Sequence, residues 1–349
     1  MTASRPDVVA PTGSRVLVTG GSGFIGRHVV AELLSAGHAV TVADQTPLGE
    51  DDAPGASAVE MVVGDLCDPG AREAAVSPGT SAIVHLAAAT SVLGSIENPW
   101  HVHRTNVEMT AGLLELARLR NVTTFVLAST NAVVGNVGEA TIKESLPLAP
   151  LTPYGATKAA AEMLLSGYSG AYGIRGPAVR LTNVYGSGMV HKDSFVPRLL
   201  RAAASAGEVE IYGTGEQRRD LVHVSDVARA LVMAVQDWTS GPVIIGGSRS
   251  YTVNEITQAA REATGRPIGT RPVPPKPGEM PAVVVDIAVA RGRGFAPSVS
   301  LVDGLRSAWA DFSPTGEAGS TNPSWSPAQP RETGDSRSTA GSRSTAHSP

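Results

Sequence analysis

The stretch that most narrows what this chain can fold into is residues 15–37. Arg15-Val16-Leu17-Val18-Thr19 is a short, apolar, β-branched run of the kind found in strands covered on both faces. It runs straight into Gly20-Gly21-Ser22-Gly23-Phe24-Ile25-Gly26, and a helical pattern follows through Val29, Val30, Leu33 and Leu34 to Gly37. Strand, glycine turn and helix in that order make half of a parallel βαβ unit. Each glycine serves a separate purpose. Gly20 permits the tight turn, Gly23 lets the backbone approach a pyrophosphate, and Gly26 lets helix and strand pack closely. The helix N-terminus then offers its unpaired N–H groups to the phosphates.

A second strand, residues 39–43, ends in Asp44, where a carboxylate accepts hydrogen bonds from ribose hydroxyls and repels a 2′-phosphate. No Arg or Lys follows in Gln45-Thr46-Pro47, so NAD is expected rather than NADP. Residues 59–63 form the next expected strand and close on Gly64-Asp65-Leu66. Asp65 is placed either to bond an adenine amino group or, like Asp68, to cap the helix expected over 69–76. Residues 82–89 read as a strand running into the small side chains of Ala87, Ala88 and Ala89, which let a flat cofactor lie against the backbone; His85 within it reads as a core histidine. A long helix over about 100–119 carries Asn106. His101 and His103, two apart, do not share a helix face and make no metal site. A fifth strand, residues 124–128, delivers Ser129 and Thr130 to the edge where open α/β sheets bind ligands.

A proline-punctuated loop then leads to Tyr154-Gly155-Ala156-Thr157-Lys158. Four residues are about one helical turn, so phenol and ammonium project from one face, where the cation lowers the phenol's pKa. Such a pair alone is more often accidental than catalytic; its setting gives it weight. The order TGxxGFIG, acid after the second strand, GDL, HLAA, Asn, ST, YxxxK resembles the extended short-chain dehydrogenase/reductase superfamily, in particular its nucleotide-sugar epimerase/dehydratase branch, over residues 15–312.

The resemblance implies an α/β fold: an NAD-binding Rossmann domain with a doubly wound parallel sheet (15–185, with a returning segment about 221–246) and a smaller mixed α/β C-terminal substrate domain (186–220 and 247–312). It implies that Thr130, Tyr154 and Lys158 act together on the substrate. NAD would meet Gly20, Gly23, Phe24, Ile25, Gly26, Asp44, Asp65, Leu66, Leu86, Ala87, Ala88, Asn106, Ser129, Tyr154, Lys158 and Thr182. Asn183, in a stretch similar to the family's RxxNVYG, would contact the nucleotide sugar, and Arg219 would grip its diphosphate with a bidentate guanidinium. Lys276 and Glu279 resemble the loop that closes over the nucleotide.

The implied reaction starts from a tyrosinate, its pKa brought down by Lys158 and the oxidised nicotinamide, which takes a proton from a sugar hydroxyl directly or through Thr130 while a hydride leaves the same carbon. Return of the hydride to the opposite face gives an epimer. Dehydratases of the family carry Asp-Glu after the threonine, because removing a proton and a hydroxyl needs an extra acid and base. Here Asn131-Ala132-Val133 holds no carboxylate, which argues for 4-epimerisation of the UDP-glucose type. A related epimerase for UDP-glucuronate or a UDP-N-acetylhexosamine, a dehydratase or reductase, and a non-catalytic NAD sensor on the same fold are the alternatives.

Composition removes other classes. A net charge of −4 with scattered Arg and Lys lacks the basic footprint of a nucleic-acid binder. Cys67 is the only cysteine, which rules out an intramolecular disulfide framework and fits a reducing cytoplasm. No segment approaches the ~20 apolar residues of a membrane span. Residues 1–14 and the Ser/Thr/Gly/Pro-rich 313–349, with Trp325 its one large apolar side chain, are expected to be disordered. The resemblance also implies a homodimer through the 100–119 and 154–170 helices, whose outer faces would carry Met109, Leu113, Met163 and Leu164, residues that fit an ordinary core equally well.

Overall fold

The computed structural model describes residues 13–275 and 282–313. The expected arm and tail lie outside these residues save for 13, 14 and 313, and so do Lys276 and Glu279. In chain order the strands are β1 (Arg15–Thr19), β2 (Ala39–Asp44), β3 (Glu60–Val63), β4 (Thr80–His85), β5 (Thr124–Thr130), β6 (Pro177–Leu181), β7 (Asn183–Tyr185), β8 (Glu208–Tyr212), β9 (Arg218–His223), β10 (Gly241–Ile245), β11 (Ser250–Thr252) and β12 (Gly269–Val273). Seven form one parallel sheet in the order β10-β6-β5-β4-β1-β2-β3. This is the doubly wound Rossmann sheet.

The central strands of this sheet are mainly apolar because both faces are covered, and successive side chains serve opposite cores. Val16 and Val18 of β1 join one core with Val29, Val30 and Leu33 of α1 (Phe24–Ser35) and with Val227 and Leu231, from the helix that runs Val224–Gln236. Leu17, between them, joins the other with Leu113 and Leu114 and with Leu165, from helices at Met109–Leu119 and Pro153–Tyr172. A third core gathers Tyr185, Leu199, Leu200, Ile256 and Leu305 beside a three-stranded sheet, β11-β9-β7, and the β12-β8 pair.

Three local differences from the sequence reading matter. β4 stops at His85, so Leu86 to Ala89 are loop at the strand's C-terminal end. Asp68, not Asp65, caps α2 (Pro69–Ala75), accepting from Gly70 N at 2.8 Å with Pro69 at the first helical position. The long helix is compound: after α3 (Val92–Glu97) come α4 (Pro99–His103), a π turn at Arg104–Glu108, and α5 (Met109–Leu119). Met109 and Leu113, expected on its outer face, are 3% and 0% exposed and belong to the core; Leu164 is half-buried, and of the four only Met163 stands exposed. Full burial of such side chains stabilises by about 1.5–3 kcal/mol each, so the core claims them.

Candidate active site

The strand order reverses between β1 and β4, which opens a crevice at their C-terminal ends. Gly20 sits there at φ 72°, in the left-handed region, and a Cβ on it would stand 2.8 Å from Ala87 N. The ends of β1 and β4 touch at this point, with Leu86 N and Ala87 N both donating to Thr19 O at 3.1 Å. A Cβ on Gly26 would lie 2.1 Å from Gly20 O, so α1 begins tight against the turn. Gly23 is the N-cap of α1.

Asp44 closes the far side. Its Oδ2 accepts from Ser22 N at 3.1 Å and its Oδ1 from Thr46 N at 3.3 Å, which leaves about half of a carboxylate's acceptor sites for a ligand hydroxyl. A glycine-rich turn at a helix N-terminus with an acid at the end of the next strand fits a dinucleotide: phosphates at Gly20 to Gly26, ribose at Asp44.

Above these residues lies a cavity of about 450 Å³. All the residues assigned to NAD from sequence line it, Asn106 excepted, and Thr130 lines it too. Asn106 is engaged elsewhere. Its Oδ1 accepts from Ala89 N at 2.8 Å, and its Nδ2 donates to Ala89 O at 3.0 Å and Thr157 Oγ1 at 3.1 Å. From the π turn it ties the β4 loop to the residue before Lys158. Asp65 is exposed and accepts from Cys67 N at 2.9 Å, a bond that holds its carboxyl below the ordinary carboxylate value. Ser129 borders the cavity, but its hydroxyl donates to the Glu162 carboxylate. Gln45, Thr90, Thr105 and Lys192 also line the cavity, and no motif in the sequence marked them.

Tyr154 and Lys158 are carried by α6 (Pro153–Tyr172). Thr152 caps it by accepting from Gly155 N at 3.2 Å, Pro153 occupies its first turn, and Gly173 ends it at φ 70°. Thr130, the last residue of β5, caps a short 3₁₀ turn, Asn131–Val134, through Ala132 N. The electrostatics differ from the sequence expectation. Burial pushes the Tyr154 phenol up, and the neighbouring Thr130 hydroxyl opposes that. Lys158 is 4% exposed and its Nζ donates to Ala128 O at 2.9 Å; burial brings it down to about 8, with Glu162 drawing it back up. Desolvation is the largest influence on both groups, because both sit in low-dielectric surroundings. His85 is a core residue, as its pattern suggested. It bridges Thr19 Oγ1 at 2.7 Å and Thr110 Oγ1 at 3.0 Å, and burial lowers it to about 3.

On the substrate side, Asn183 is exposed and donates through Nδ2 to Asp220 O at 2.9 Å, while Arg219 donates to the Arg218 carbonyl at 2.8 Å. Neither is among the described residues lining the cavity. Asn131 is buried, and among the described residues neither its Nδ2 nor its Oδ1 has a hydrogen-bond partner.

The sequence profile of the NAD dependent epimerase/dehydratase family matches residues 16–246. The chain belongs to that family. It is an NAD-dependent enzyme of the nucleotide-sugar epimerase/dehydratase kind. A putative UDP-glucose 4-epimerase of Methanocaldococcus jannaschii is 32% identical over 298 residues, 83% of this chain and 96% of its own. A dTDP-glucose 4,6-dehydratase of Streptomyces niveus is 34% identical over 305 residues, 83% of this chain and 90% of its own. The solved UDP-glucose 4-epimerase of Thermotoga maritima, with UDP-glucose, is similar at a TM-score of 0.80 and 30% identity, covering 85% of this chain and 98% of that one. Family relatives therefore stand on both sides of the epimerase/dehydratase divide. Among the described residues no helix is long and apolar enough to cross a membrane.

Proposed function

We propose that the protein is a 4-epimerase of a UDP-linked hexose, of the UDP-glucose/UDP-galactose type. The observation that carries the reading is the company Thr130 keeps. It borders the same cavity as Tyr154, Lys158 and the glycine turn, yet the turn that follows it, Asn131–Val134, offers no carboxylate. Elimination of water needs an acid and a base beyond the tyrosine; epimerisation does not. NAD, when bound, supplies a reversible hydride acceptor for the sugar carbon. Tyr154 takes and returns the hydroxyl proton, directly or through Thr130. Lys158, with its Nζ anchored on Ala128 O, is the cation that stabilises the ionised phenol. Asn183, Arg219, Lys276 and Glu279 are assigned to the nucleotide and diphosphate by their place in the family's motifs. The N-terminal sheet and the region of the third core are read as the cofactor and substrate domains.

A homodimer is part of the same reading, through a face that keeps Met163 of the residues first expected but not the buried Met109 and Leu113. Leu93, Ile96, Trp100 and Met163 are 61%, 59%, 64% and 56% exposed on α3, α4 and α6, which pack together. An apolar band of that kind suits a second copy.

The test is to incubate the purified protein with UDP-glucose, UDP-galactose and their glucuronate and N-acetylhexosamine counterparts and to identify the products. Interconversion of 4-epimers supports the reading. A 4-keto-6-deoxy product would place the chain with the dehydratases, and no conversion of any of these by NAD-loaded protein would overturn it.

A further inference from the structure

One face of α6 carries three titratable side chains in succession, Tyr154, Lys158 and Glu162, each four residues on from the last. The third has no part in the chemistry above. Glu162 is buried, and Arg180 of β6 grips it with a fork: Nε to Oε1 at 3.0 Å and to Oε2 at 3.3 Å, Nη2 to Oε2 at 2.8 Å. Both side chains are 3% exposed. The remaining capacity of Oε1 is taken by Ser129 Oγ, one residue before Thr130. A carboxylate thus links the strand that bears Thr130 to the helix that bears Tyr154 and Lys158.

A buried ion pair is a poor source of stability, since desolvating two charges offsets most of their attraction. Its position one turn beyond Lys158 calls for another reason. We propose that the Glu162–Arg180 pair is a positioning device that holds Lys158 against Ala128 and keeps it a cation beside Tyr154. Through Ser129 and Arg180 the Glu162 carboxylate fixes α6 against β5 and β6 next to Ala128, and from one turn away it attracts the ammonium. The cavity's carboxylates, Asp44 at the end of β2 and Asp65 after β3, lie three and four strands across the sheet from β5; the other titratable groups around Lys158 or at the cavity's edge are Tyr154 on its own helix, His85 on β4, which burial keeps neutral, and Lys192. None of these three attracts a cation at neutral pH. Glu162 is the influence that raises Lys158 against burial.

The inference rests on the assigned role of Lys158, so its test reads the lysine without requiring turnover. In nucleotide-free protein, the unfolding free energies of the wild type and Lys158→Met are compared from pH 6 to pH 10, then compared again in a Glu162→Gln background and in Glu162→Gln/Arg180→Met. The pH at which the difference begins to change marks the folded-state titration of Lys158. It is about 8 in the wild type. It should fall by about one pH unit in Glu162→Gln, where Arg180 is left as an unopposed neighbouring cation, and by less in the double variant, which loses both charges. The double variant is expected to fold because it leaves neither buried charge without its partner. With an active substrate in hand, the alkaline limb of kcat/KM should move in the same order, with KM little changed. A midpoint that stays at its wild-type pH in the double variant would reduce the pair to a structural clip and overturn the proposal, whatever the enzyme's substrate proves to be.

Discussion

Lys158→Met should make the folded protein more stable at neutral pH while abolishing its chemistry. The ammonium is 4% exposed, and burial brings its pKa from 10.5 down to about 8. At 1.36 kcal/mol per pKa unit, keeping the charge buried at pH 7 costs roughly 3 kcal/mol. Methionine of similar length removes that cost, but it leaves Ala128 O without its 2.9 Å donor, a loss of about 1 kcal/mol or more. The net expectation is a gain of about 1–2 kcal/mol at pH 7.

The sign with pH follows from the lowered pKa. Between about 8 and 10.5 the unfolded chain binds the lysine proton and the folded chain does not, so wild-type stability rises relative to the variant as pH increases through that window. Above it the advantage of methionine is gone and the lost hydrogen bond remains. The assay is denaturant unfolding of both proteins, freed of nucleotide so that cofactor affinity does not enter, at pH 7 and in steps up to pH 10.5. A variant less stable than the wild type at pH 7, with a difference indifferent to pH, would refute the premise that burial is what governs this lysine.

Two glycines give a contrast within one chain. Gly26→Ala places a Cβ 2.1 Å from Gly20 O and should cost several kcal/mol or NAD binding outright; Gly167→Ala, inside α6 with nothing within 4 Å, should add about 0.5–1 kcal/mol to stability by denaturant unfolding. Asp44→Ala should weaken NAD in a fluorescence titration by about tenfold and narrow its preference over NADP, since the carboxylate both accepts from ribose and repels a phosphate. Unchanged discrimination would remove Asp44 from the site. Tyr154→Phe should lose turnover by at least about a thousandfold while NAD remains bound; comparable activity would take the proton from another residue.

Much of the fold was legible because its signals are local. The β-branched runs, the glycine turn and the acid at the end of β2 are read within a few residues of each other, and an all-parallel sheet with covered faces demands that pattern. From sequence, α6 starts at Tyr154, one residue late, with Pro153 left to the loop; Thr152 and Pro153 are in fact its cap and first residue. Even the cavity lining could be assembled from motif order, since each strand of such a sheet ends at the same edge.

What the chain by itself determined, then, is the sheet, the turn that meets a dinucleotide and the residues at the sheet's C-terminal edge. Packing decided the rest. Met109 and Leu113 lie on an amphipathic helix whose period shows a stripe but not what covers it, and the core took them. Asn106 fell in the right segment, but only the π turn and its bonds to Ala89 and Thr157 show that it fixes a loop. Glu162 and Arg180 carried no spacing signal linking them, because a contact between helix and strand is made by the third dimension. The same holds for the pair to which the proposed chemistry is assigned. Spacing put Tyr154 and Lys158 on one face, but desolvation, which depends on everything packed around them, set the direction of both titrations.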